Sequence, residues 1–78
     1  MPTILRVGRY RFVFFSNEGS EPAHIHVKAS RDEAKFWLDP VGLAANYGFK
    51  AHELNKIESI LREHWAILIG AWHEHFGG

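Results

Sequence analysis

The chain has 78 residues, 46% of them hydrophobic and 14% aromatic, which excludes a disordered chain and leaves room for one modest core. Nine basic and nine acidic residues give a formal net charge of zero, so overall charge does not mark a nucleic-acid binder and only the layout of charge can. No cysteine is present, which rules out disulfides and thiolate metal sites.

The opening "MPTILRVGRY" has no apolar run of the length a signal peptide or membrane span needs. The expected setting is cytoplasmic, with no membrane partner. No repeat or linker divides the sequence, and residues 1–78 read as a single domain. A core this small makes a homodimer a reasonable expectation.

In chain order, "TILRV", Gly8-Arg9 and "YRFVFFS" predict a hairpin with a type II′ turn, glycine first. Its pairs are Val7 with Tyr10, Arg6 with Arg11, Leu5 with Phe12 and Ile4 with Val13. "NEGSEP" is a loop. "AHIHVKAS", Arg31-Asp32 and "EAKFWLDP" predict a second hairpin, ended by Asp39-Pro40 because proline cannot continue a ladder. "VGLAANYG" predicts one or two helical turns stopped at Gly48. From Lys50 to His75 the apolar positions Leu54, Ile57, Leu61, Trp65, Leu68 and Trp72 step by three or four, the period of one long helix. The expected fold is α+β: a four-stranded antiparallel meander of two hairpins, a short helical segment, and one long C-terminal helix packed on one face.

The second predicted turn pairs Ala29 with Ala34, Val27 with Phe36 and Ile25 with Leu38, an apolar side. The other side then pairs His24 with Asp39, His26 with Trp37 and Lys28 with Lys35. Joined to the first hairpin, this outer face gathers Arg6, Arg11, Lys28, Lys35, His24 and His26, with Trp37, Phe15 and Val13 among them and Asp39 as its acid. Two like-charge pairs facing each other cost some tenths of a kcal/mol, which suits a surface made for an anion. Basic side chains interleaved with rings are the materials of RNA surfaces.

His24 and His26 flank Ile25, so on a strand both imidazoles share one face. Three readings stay open: a two-histidine start of a metal site, with Asp39, Glu21 or Glu18 as third ligand; acid–base or phosphate contact, with Asp39 orienting His24; or structural imidazoles bonded to loop backbone. The helical His52, His64, His73 and His75 form no i, i+4 pair and suit the surface and the helix C-terminus. Trp65 and Trp72 fit the core stripe or a dimer surface.

"MPTILRVGRYRFVFFSNEGSEPAHIHV", "EAKFWLDPVGLA" and "HELNKIESILREHWAILIGAWHEHFG" together resemble the small bacterial family catalogued as domain of unknown function 4160. The matching stretches are R-F-x-F-x-S-N-E at Arg11 to Glu18, E-P-x-H-x-H-V at Glu21 to Val27, and A-K-F-W-L-x-P at Ala34 to Pro40. The resemblance implies a toxin–antitoxin component, encoded beside a small cognate protein of the family called domain of unknown function 2442. It supplies no accepted catalytic residues, though His24 and His26 fall on its motif.

The leading expectation is a toxin-like component acting on RNA as a metal-independent endoribonuclease. Arg6, Arg11, Lys28, Lys35 and Trp37 would bind substrate, His24, His26 and Asp39 would supply catalysis, and no cofactor would be needed. The alternatives are a non-enzymatic protein-interaction module that docks the cognate partner, and an H-x-H metal-binding protein.

Overall fold

In the computed structural model, which describes residues 3–15 and 19–77, five strands form one antiparallel meander. They are β1 (Thr3–Val7), β2 (Tyr10–Val13), β3 (His24–Ala29), β4 (Asp32–Leu38) and β5 (Val41–Tyr47), neighbours in chain order. Two helices follow, α1 (Ala51–Glu63) and α2 (Trp65–Phe76). The α+β class is as expected; the sheet has five strands where four were predicted, and the long helix is two.

The first hairpin follows the sequence closely. Gly8 takes φ 57°, the left-handed conformation a glycine-first turn requires. Val7, Arg6 and Leu5 pair with Tyr10, Arg11 and Phe12. An irregularity between Thr3 and Leu5 then sets Thr3, rather than Ile4, opposite Val13.

The second hairpin turns one residue earlier than expected. Ala29 pairs with Asp32, so the loop is Ser30-Arg31, with Ser30 in the left-handed region at φ 54°. That position favours glycine or asparagine, which is why a serine there is hard to read from sequence. The pairing moves by two residues, so each side chain keeps its face while its partner changes. His24 faces Trp37, His26 faces Lys35, and Lys28 faces Glu33. The predicted pairs His24–Asp39, His26–Trp37 and Lys28–Lys35 are therefore corrected.

Val41–Tyr47, expected as helical turns, is a strand. Leu38 pairs with Val41 around the cis Asp39–Pro40 peptide, and β5 runs on along β4 as far as Tyr47 opposite Glu33. Its Leu43, Ala44 and Ala45 carry good helix propensity, but strand preference depends on neighbouring strands, and β4 supplies one. Gly48 closes the strand at φ 113°, where an added Cβ would collide with the Asp32 carboxylate. The Asn46 side chain then bonds both the N–H and the carbonyl of Phe49, at 3.1 and 2.9 Å, turning the chain into α1.

The helices cover the side of the sheet that carries Phe12, Phe14, Ile25, Val27, Phe36 and Leu38, all buried with Ile57, Leu61, Leu68 and Trp72. Burial of this apolar set is the main stabilising term. The helix is interrupted at His64, at φ −106° and ψ 18°, while the backbone bonds His64 N–H to Ile60 O and Leu68 N–H to His64 O continue at 3.0 and 3.1 Å. Neither proline nor glycine sits at the interruption. The tertiary contact placed there is the Trp65 indole N–H, which donates to the Leu38 carbonyl at 2.5 Å. No helix is long and apolar enough to cross a membrane among the described residues.

Candidate functional site

The sheet face opposite the one that carries Phe12, Ile25, Val27, Phe36 and Leu38 has two unlike halves. Toward the open ends of β3 and β4, both histidines lie on the predicted face but are covered. His24 is 1% exposed and His26 6%. Phe15 stacks on His26 with ring centroids 3.9 Å apart and planes inclined by 22°. His24 meets Trp37 at 5.8 Å, His26 at 5.3 Å and, from α2, Trp72 at 5.0 Å. The expectation of two outward-looking imidazoles is corrected: aromatic neighbours seal them.

His24 Nδ1 lies 2.9 Å from the Pro22 carbonyl. A carbonyl only accepts, so Nδ1 carries the hydrogen and donates it. This is the arrangement of an imidazole bonded to loop backbone. His26 Nδ1 lies 3.5 Å from Glu33 Oε2. Asp39 sits in the β4–β5 turn, beside a separate cavity of about 300 Å³ lined by Leu38, Pro40, Val41, Arg62 and Trp65. The register places Trp37 opposite His24, not Asp39.

Lys35 and Trp37 belong to this half. Lys35 Nζ donates to Glu21 Oε1 at 2.6 Å and lies 4.8 Å from the centre of the Trp37 ring. Its charge is thus paired, and one face of Trp37 is occupied. Glu18, one candidate metal ligand, lies outside the described residues. Among the described residues no three of histidine, cysteine, aspartate and glutamate come together as a metal site.

The other half lies beside the β1–β2 and β3–β4 turns. Arg6 of β1 faces Arg11 of β2, and Arg11 faces Lys28 of β3. Directly opposed residues on neighbouring strands share a face, so three cations form one row across three strands. With Arg9, Ala29 and Ser30 they line a recess of about 350 Å³.

Two residues not expected at this site shape its charge. Arg9 donates to Glu53 Oε2 at 2.5 Å, and Glu33 lies 4.0 Å from Lys28 Nζ. Arg9 stands in a turn, where sequence reading assigns it to turn chemistry. Glu33 comes opposite Lys28 only because the second turn falls at Ser30-Arg31. Arg6 and Arg11 have no ion pair among the described residues, and the buried Arg11 Nε has no hydrogen-bond partner there.

The family model described as "Domain of unknown function (DUF4160)" matches residues 10–73. No curated protein and no solved structure matches the chain.

Proposed function

Because the chain belongs to the DUF4160 family, whose resemblance implied a toxin–antitoxin component, we propose that it is the RNA-directed member of such a bacterial pair. It acts by binding phosphate at the basic half of the sheet. The observation that supports this reading is the row Arg6–Arg11–Lys28, opposed across three strands with Arg9 beside it. Guanidinium groups suit phosphate because their planar fork donates two parallel hydrogen bonds.

Binding carries this function without proton transfer by His24, which is sealed and committed to the Pro22 carbonyl. An endonucleolytic step through His26, whose Nδ1 lies 3.5 Å from the Glu33 carboxylate, would require Phe15 to move off its ring. Total RNA incubated with wild type and with His26→Gln separates the two cases. Cleavage by wild type alone assigns acid–base work to His26; intact RNA in both leaves binding as the activity.

The direct test is fluorescence anisotropy with a single-stranded RNA at low and high salt. Wild type binds, and the Arg6→Gln/Arg11→Gln variant loses about tenfold or more. The dependence on salt becomes shallower by roughly 0.7 in log–log slope for each phosphate that the variant no longer neutralises. No binding at low salt removes the proposal.

A second reading, a non-enzymatic module that docks its small cognate protein, is favoured by β5. This strand is a sheet edge free of charged residues, and Leu43 and Tyr47 on it are exposed, as is Trp65 at the helix interruption. Uncharged edge strands accept an added strand from a partner. Stoichiometric co-purification with the neighbouring gene's product, abolished by a proline within β5, is the outcome that supports it.

A further inference from the structure

We infer that the recess between the β1–β2 and β3–β4 turns is a site for one phosphate monoester dianion, and that on RNA it takes a terminal phosphate rather than the internal backbone. This deepens the RNA-binding reading and rests on it for the identity of the ligand's carrier.

The first reason is a count of charge. Four cations line the recess. Arg9 is offset by Glu53 at 2.5 Å, and Lys28 has Glu33 at 4.0 Å. Arg6 and Arg11 remain without a carboxylate among the described residues, facing each other directly. Two uncompensated charges match a ligand group carrying two. A phosphodiester carries one negative charge, whereas a phosphate monoester at pH 7 carries about 1.5 to 2.

The second reason is an orphaned donor. Arg11 Nε is buried without a hydrogen-bond partner among the described residues. An unsatisfied buried donor is costly, and more so on a charged group. The opposed Arg6–Arg11 and Arg11–Lys28 pairs add like-charge repulsion. One anion seated over Arg11 relieves both effects.

The third reason is extent. A groove that follows a nucleic-acid backbone needs cations repeated along its length. Here they stop. Lys35, the next basic residue on this face, is held by Glu21 at 2.6 Å, and beyond it lie the aromatic-covered histidines. The positive field is confined to one end of the sheet, in a recess of about 350 Å³ that also leaves room for the sugar joined to a phosphate.

The test uses the full chain and three probes: one single-stranded RNA with a 5′-phosphate, the same RNA with a 5′-hydroxyl, and a nucleoside 5′-monophosphate. Variants are Arg6→Gln, Arg11→Lys and Arg11→Gln, with Lys35→Gln as control and folding checked by circular dichroism. The phosphorylated RNA binds about tenfold or more tightly than the hydroxyl form. Arg11→Gln erases that difference, Arg11→Lys keeps the charge but loses most of it because the fork is gone, and Lys35→Gln leaves it unchanged. Arg6→Gln, on an exposed side chain, repeats the loss in case Arg11→Gln fails to fold. Equal affinity for both RNAs overturns the monoester site while RNA binding stands. Binding of the mononucleotide but of neither RNA keeps the site and overturns the RNA function. Binding of none of the three overturns both.

Discussion

The two halves of the outer sheet face meet on β3, yet they solve opposite problems. On β3, His24 and His26 are buried under Phe15, Trp37 and Trp72, while Lys28, two residues further, borders an open recess. In the first half the polar groups near the rings have partners: His24 has the Pro22 carbonyl, and Lys35 has Glu21. In the second half like charges face one another, and the buried Arg11 Nε has no hydrogen-bond partner among the described residues. A motif that attracts attention can thus be structural, and a plain row of basic residues can be the surface left ready for a ligand.

Removal of His24 carries the largest expected effect. His24→Ala opens a cavity and strips the Pro22 carbonyl of its donor, and the expected loss is about 2–4 kcal/mol in urea unfolding. RNA affinity of the folded fraction stays unchanged. A fall in affinity at unchanged stability would reverse the roles assigned to the two halves.

Arg11→Met should act with the opposite sign. It removes two like-charge oppositions and the orphaned Nε, so stability in phosphate-free buffer rises by about 0.5–1 kcal/mol. RNA affinity falls in the same variant. Destabilisation would mean that Arg11 is held by the protein rather than poised for an anion.

Glu33 stands between the halves, near His26 Nδ1 and Lys28 Nζ. Glu33→Gln is expected to cost a few tenths of a kcal/mol, since the pairs are partly exposed. Phosphate affinity rises about two- to threefold in titration calorimetry as a competing negative charge leaves.

The smallest effect concerns Glu53. The backbone hydrogen bond from Lys50, and then the Arg9 guanidinium, hold its carboxyl below the ordinary value of 4.5. The folded form therefore binds its proton less readily than the unfolded chain. The resulting stabilisation is full above the ordinary value and is lost as pH falls through the lowered one. Wild type and Glu53→Gln should differ most at neutral pH and converge in acid, read from unfolding midpoints across that range.

The alternation of faces and the helical stripe follow from residue pattern alone. Strand side chains alternate with period two, so Ile25, Val27, Phe36 and Leu38 fall together whichever nearby even register is chosen, and all four are buried. Gly8 announced its own turn, and Arg6 opposite Arg11 followed from it. The stripe Ile57, Leu61, Leu68 and Trp72 was legible for the same periodic reason. Contacts across the fold set Ser30 in the left-handed turn position, join Val41–Tyr47 to β4 as a strand, and accompany the helix interruption beside the Trp65–Leu38 bond. These depend on neighbours distant in the chain, as does the cover that Phe15 and Trp72 place over the histidines. Local pattern fixes which way a side chain points; packing alone settles what lies on top of it.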